Sequence, residues 1–407
     1  MRNNARNTNR LLIVSVVLMI IAACGVNEAS KPDHKIKIGI LFPLSGDLAD
    51  KGRDSRNAVA MAVDEVNAAG GIASFKGAKL ELIVGDTQGN PDVGIRETER
   101  LIKEQNVIAL IGAYQSSVTK MATQVAERLE TPFIVSISIA DIITERGFSY
   151  TFRIQPKAQF YARDQARFLA DLGKQAGYPV KKVALIHENT DFGTATSWAQ
   201  KKALGDLGLE VVAEVSYKAE GVTDLSREVA RIIAAKPDAI LEVTYLNDSI
   251  LIRQALVKAG AKIPLIDMAG GAVSPEYIQR LGPLAEGTLT LSEYSKFIPG
   301  GKDLNSRFHQ RFGVDVTGDS AHAYQSVWVL KDALERTGSV DKKKLRQALA
   351  TTDMPRGPNM ILPAERLRFD VTGQNEYARL FIVQIQKGEL VPVWPFEYAT
   401  GKLRLEQ

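Results

Sequence analysis

The groups in this chain best placed to do chemistry are hydroxyls and backbone amides. Gly112-Ala113-Tyr114-Gln115-Ser116-Ser117 leads into a helical pattern in which Val118, Met121, Ala122, Val125 and Leu129 recur at helix spacing. Ser116 and Ser117 stand beside N–H groups that a helix start leaves without an internal acceptor, and such a start can hold a carboxylate without lysine or arginine. The same serines could equally do no more than finish a helix. Ser136-Ile137-Ser138-Ile139-Ala140-Asp141 leaves a strand at what should be the neighbouring carboxyl end, where open α/β sheets place ligands. His187-Glu188-Asn189-Thr190-Asp191-Phe192-Gly193 and Thr244-Tyr245-Leu246-Asn247-Asp248 are equivalent turns further on. Their Phe192 and Tyr245 could clamp an apolar ligand body or pack a surface. Phe42-Pro43-Leu44-Ser45-Gly46 either lines a cleft or merely joins strand to helix.

Catalytic and cofactor signatures do not appear. The histidines, His34, His187, His309 and His322, are scattered without metal-binding spacing. Neither GxGxxG nor a Walker pattern is present, nor a G-x-S-x-G elbow, and the single cysteine is Cys24. Glu188 and Asp191 could form an acid/base pair, but acids on a loop are usually solvated. The expectation is a binding protein that is not an enzyme and takes no cofactor or metal. The net charge of +4 includes Arg2, Arg6 and Arg10, so the chain beyond residue 23 carries only +1. That body lacks the basic footprint of a nucleic-acid binder.

These groups need elements to position them. A length of 407 residues suits two domains of roughly 100 to 200 residues each. Short apolar runs bounded by turn residues predict strands at 36–42, 80–85, 107–112, 133–136, 183–187, 209–215, 239–243 and 265–268. Helices alternate with them, as at Asn90-Pro91-Asp92, a cap, a first-turn proline and an early acid. One set of strands runs to about Ser136 and a second begins at Lys181, with the extended segment 150–156 between them as a hinge candidate. The fold class is therefore α/β, with two parallel-sheet lobes and a cleft.

The N-terminus reads as an export signal. Three arginines precede the thirteen uncharged residues from Leu11 to Ala23, too few for the roughly 20 of a spanning helix. Ile21-Ala22-Ala23-Cys24-Gly25 resembles the bacterial lipoprotein box, which implies lipidation of Cys24 and a membrane anchor. The polar stretch to Lys35 then reads as a tether. The expected location is the extracytoplasmic face of a bacterial membrane.

Several of these stretches, in order, carry a family resemblance. They are 42–46, the helix end at 67–71, Val84-Gly85-Asp86-Thr87, Ile111-Gly112 with Ser116-Ser117, Thr144-Glu145-Arg146-Gly147, 150–153 and Asp191-Phe192-Gly193. From about residue 35 to 388 the chain resembles the branched-chain amino acid-binding proteins of ABC importers. The resemblance implies a type I periplasmic-binding-protein fold: two doubly wound lobes joined by three crossing strands, near 153–155, 289–293 and 368–373. It divides the body into lobe 1 (36–154 plus 290–370) and lobe 2 (155–289 plus 371–398), after a signal (1–23) and tether (24–35).

It also implies a monomer that passes a small amino acid-like, carboxylate or amide ligand to separate ABC permease subunits. The same fold serves as a ligand-sensing module for signalling partners, which is the alternative function. An exported hydrolase is a further rival. By motif position, Ser116 matches the serine that receives the ligand carboxylate, and the backbone near Ile137 matches a second contact. Ile139 stands where a threonine is usual, Lys51 and Phe192 where tyrosines are usual, and Tyr245 is retained. The acid that pairs the ligand ammonium should lie in 268–272, which has none. Asp267, Asp248 and Glu242 are the nearby substitutes.

Overall fold

The computed structural model describes residues 35–405 apart from 176, 298 and 299. The signal segment, Cys24 and all of the tether but Lys35 therefore lie outside the described residues. In chain order the elements that matter are β1 (Lys35–Phe42), α1 (Ala49–Ala68), β2 (Lys79–Asp86), α2 (Pro91–Lys103), β3 (Ala109–Gly112), α3 (Ser116–Arg128), β4 (Phe133–Val135) and β5 (Thr151–Arg153). A second series follows: α4 (Ala158–Gln175), β6 (Lys182–Glu188), α5 (Asp191–Asp206), β7 (Glu210–Tyr217), α6 (Ser226–Ala234), β8 (Ala239–Val243), α7 (Leu246–Lys258), β9 (Leu265–Asp267), α8 (Pro275–Leu281) and β10 (Leu289–Ser292). The chain ends with α9 (Gly301–Phe312), α10 (Gly318–Thr337), α11 (Lys342–Ala350), a short pair β11 (Asp353–Pro355) and β12 (Arg366–Arg368), and the hairpin β13 (Phe381–Gln386) and β14 (Glu389–Trp394).

Local chemistry sets these boundaries. Asn90 is extended and its side chain accepts hydrogen bonds from the N–H groups of Asp92 and Val93, so α2 starts at Pro91 as the sequence spells. All eight strands expected from apolar runs form, with ends shifted by a residue or two. The first sheet has the order β2-β1-β3-β4-β5, and its β1/β3, β3/β4 and β4/β5 pairs are parallel. One of its cores gathers Ile38, Ile40, Ala58, Ala62 and Val66 with Val327, Leu330 and Leu334, so α10 packs against α1 although some 250 residues separate them. The other face packs Leu101, Val118, Ala122 and Ala126 from α2 and α3.

The second sheet is β14-β13-β10-β9-β8-β6-β7, parallel from β10 through β7 and antiparallel where β13 joins β10 and β14. Residues 289–292 are thus a central strand of this sheet, bonded to β9 and β13, and the division expected before residue 290 falls after Ser292 instead. Helices α4 and α5 cover one face, through Phe168, Leu169 and Leu204, and α6 and α7 the other, through Val229, Ile232 and Leu256.

The chain crosses between the sheets three times, after β5, after β10 and before β13. The first and third crossings are bonded to each other: Arg153 N–H donates to Gly373 O at 2.7 Å, and Asn375 N–H to Arg153 O at 2.8 Å. Gly373 has φ +79°, and a Cβ there would come within 2.1 Å of Thr151 O, so only glycine allows this close approach. The Gln155 side chain donates to Glu293 Oε1 at 2.9 Å and ties the first crossing to the second.

Candidate functional site

A narrow cleft runs between the lobes at the carboxyl ends of both sheets, where open α/β sheets place their ligands. Lobe 1 supplies Tyr114, Ser116, Ile137, Ser138, Ile139 and Asp319; the crossings supply Gln155 and Glu293; lobe 2 supplies Tyr161, Phe192, Tyr245 and the turn Met268-Ala269-Gly270.

The start of α3 faces this space. Its cap residue Gln115 is extended and makes no side-chain cap bond, and the first internal bond is Thr119 N–H to Gln115 O at 2.9 Å. The N–H groups of residues 116–118 therefore precede the helical ladder, at the positive end of its dipole. Ser116 Oγ accepts from Ala140 N–H at 3.3 Å, which leaves its own hydrogen available to donate. Its neighbour Ser117 does not line the cavity. Ser138 lines it, but its hydroxyl donates to Tyr114 O at 2.8 Å and also meets Thr119 Oγ1. Its role is to fix the loop against α3.

That loop is held from below by Arg153, which has no exposed surface. The guanidinium donates to the carbonyls of Ala140 (2.7 Å) and Ser138 (3.3 Å), to Thr144 Oγ1 (2.9 Å) and to Gln374 Oε1 (2.6 Å). Burial lowers its pKa to about 10, so it stays charged. Ile139, although it leaves a lobe 1 strand, packs into the α4–α5 core of lobe 2. Across the cavity the rings of Phe192 and Tyr245 lie 5.3 Å apart at 42° and form an aromatic wall.

Two carboxyl groups also line the cavity. Glu293, 2% exposed, follows β10, and Asp319 lies in the first turn of α10. Burial, followed by the nearby Asp319 charge, raises the Glu293 pKa to about 8. Asp319 keeps some accessible surface but lines the cavity, and desolvation pushes its pKa up against the opposing effects of the Tyr114 hydroxyl (2.8 Å) and Lys51. Asp267, Asp248 and Glu242, the acids expected from sequence to meet a ligand ammonium, do not line the cavity. Asp267 accepts from Thr290 Oγ1 (2.8 Å) and Ala272 N–H (3.0 Å) inside lobe 2. Glu242, paired with Asp267 across β8 and β9, accepts from Ser249 Oγ at 2.5 Å. Asp248 caps its own helix through Tyr245 N–H (3.3 Å) and takes the Tyr217 hydroxyl (2.8 Å). All three are engaged inside lobe 2, although Glu242 Oε2 is buried there without a partner.

Sequence reasoning missed Glu293, Asp319, Gln155, Tyr161 and Tyr114 as lining residues. An acid directly after the strand Leu289-Thr290-Leu291-Ser292, at a named crossing, was the available signal for Glu293. Outside the cavity, Lys51 in α1 donates to Ser274 Oγ at 2.5 Å and Lys120 in α3 pairs with Asp191 in α5 at 2.8 Å, so lobe 1 and lobe 2 touch across the cleft. Among the described residues no group of three or more histidine, cysteine or acid side chains is placed to hold a metal ion. No described helix is long and apolar enough to cross a membrane.

A family model described as periplasmic binding protein matches residues 35–389. A curated relative, Leu/Ile/Val-binding protein homolog 7 of Brucella melitensis, is 31% identical over 418 residues, covering 98% of this chain and 99% of that protein. Among solved structures, a leucine-binding protein from Thermotoga maritima superposes with a TM-score of 0.79 at 22% identity, over 89% of this chain and 99% of the other. The branched-chain amino acid transporter substrate-binding protein of Streptococcus pneumoniae in complex with isoleucine gives 0.77 at 23%, over 88% and 97%. A solute-binding protein of an ABC transporter from Rhodopseudomonas palustris, in complex with 3,4-dihydroxybenzoic acid, gives 0.75 at 22%, over 88% and 96%. At these identities the structural likeness is one of fold.

Proposed function

We propose, from the premise that this chain belongs to the periplasmic binding protein family in its branched-chain amino acid type, that it captures a small carboxylate-bearing, amino acid-like ligand outside the cytoplasm and delivers it to an ABC permease. The family binds its substrates and is not enzymatic. The observation that carries the reading is the uncapped start of α3, where Ser116 brings a free hydroxyl hydrogen beside unpaired amides at the interlobe cleft. The carboxylate is held there by oriented dipoles, and the Phe192–Tyr245 wall of lobe 2 covers the ligand body. Ligand contacts made by both lobes favour the form in which they touch. Lipidation of Cys24 and attachment to the membrane through the tether complete the proposal.

Thermal shift over amino acids, amides and aromatic carboxylates tests capture, since a ligand of the folded form raises the melting temperature by mass action. The absence of a shift across these classes overturns it. Ser116→Ala is expected to weaken binding by about 1 to 3 kcal/mol, the usual worth of a hydrogen bond to a charged group. Unchanged affinity by calorimetry would remove Ser116 from the site.

A further inference from the structure

We propose that a groove on lobe 1, separate from the cleft, is a second binding site, and that its ligand is an aromatic monocarboxylate. The floor is Thr151 and Phe152 of β5, the edge strand of the first sheet. One wall is α11, through Arg346 and, about one helical turn on, Ala350. The loop 144–149 forms a second wall, and 369–373 a third. No residue lines both this groove and the cleft, so binding here does not depend on what the cleft holds.

Two polar groups in the groove have no partner among the described residues. Thr151 is 1% exposed, and its hydroxyl makes no hydrogen bond. Arg346 Nε is buried without an acceptor, while its guanidinium carbon lies 5.7 Å from the centre of the Tyr150 ring. Buried polar groups rarely go unsatisfied, and a guanidinium beside a hydroxyl suits a carboxylate, which only accepts. The acids at the groove are held elsewhere. Glu145 pairs with Lys157 at 2.7 Å, and Asp370 Oδ1 accepts from Thr372 N–H (2.8 Å), the Thr372 hydroxyl (2.6 Å) and Gln374 N–H (3.0 Å). Their charges restrict the ligand to a single negative one, since a second would face them. Phe148, Phe152 and Phe369 supply apolar surface, the last two with ring centres 5.3 Å apart. A flat ring system fits such surface. The floor runs into Arg153, whose N–H is bonded to Gly373 O, so an occupant rests against the first and third crossings together.

The probe is 4-benzoylbenzoate, an aromatic monocarboxylate that cross-links on irradiation, applied to the mature protein with peptide mapping of the label. Label is expected within 144–152, 346–350 or 369–373, and its dependence on probe concentration gives the affinity of that site. Arg346→Met is expected to weaken labelling there by about 10-fold or more, the worth of a charge-assisted hydrogen bond, and Thr151→Val by about 3-fold or more. Ser116→Ala, in the cleft, should leave it unchanged. The neutral 4-benzoylbenzamide is expected to label the site about 10-fold or more weakly than the carboxylate. Label confined to cleft peptides overturns the site, as do an amide that labels equally well, undiminished labelling in Arg346→Met, and no saturable labelling at all. The map and the amide comparison use the unaltered protein, so they decide the matter even where a variant fails to fold.

Discussion

Ser116 and Glu293 both line the cleft, and only Glu293 changes its charge with pH. In the ligand-free protein the Glu293 carboxyl titrates near 8, raised first by burial and then by Asp319. The folded state therefore binds this proton more tightly than the unfolded chain does. The stability it contributes is full below the ordinary carboxylate range and is lost as pH rises through about 8. The groups facing it are Asp319, which is raised and shifts stability in the same sense, Tyr114, which burial keeps protonated, and Gln155, which is neutral. Melting temperature without ligand should fall between pH 5 and 8.5, and E293Q should flatten that slope by an amount worth a few kcal/mol. An identical slope in E293Q would show that the carboxyl is not desolvated. Ser116 was legible in sequence because a helix start is a local pattern. Glu293 carried only the partial signal of an acid at a crossing, and its convergence with Asp319 depends on segments that only the completed fold brings together.

At the scale of elements, the loop after β4 and the crossing after β5 stand or fall together on Arg153. Its guanidinium serves four acceptors, two of them carbonyls of the loop that places Ile137, Ser138 and Ile139 on the cavity. Arg153→Met keeps apolar volume and strands those acceptors, so it should cost about 3 kcal/mol or more, seen as a lower urea midpoint. Wild-type stability in that variant would mean the acceptors find water instead. The segment 150–156 was read as a connection, but only its second half is one: Thr151–Arg153 is the edge strand β5, too short an apolar run to be recognised beside β4. Other strands of both sheets were readable from runs such as Ala239–Val243, which are buried throughout and bounded by turns. The placing of residues 289–292 was not, because four residues of strand carry no mark of which sheet they join. That choice is made by β9 and β13, the second of them some 90 residues downstream.

For the whole molecule, the proposal of a lipid-anchored body depends on residues outside those described. Cys24→Ser should release the protein from the membrane fraction into the soluble one without changing its ligand affinity, as blotting of fractionated cells and calorimetry would record. Retention in the membrane fraction would discount the lipid. A nearly neutral body gives little electrostatic reason to stay at an anionic surface once the anchor is lost. The second crossing brings Glu293 beside the first, to which the Gln155 side chain bonds it, and Gln374 in turn bonds the first crossing to the third. The two sheets are thus linked by three segments laced to one another, so a rearrangement at any one crossing is felt at the other two.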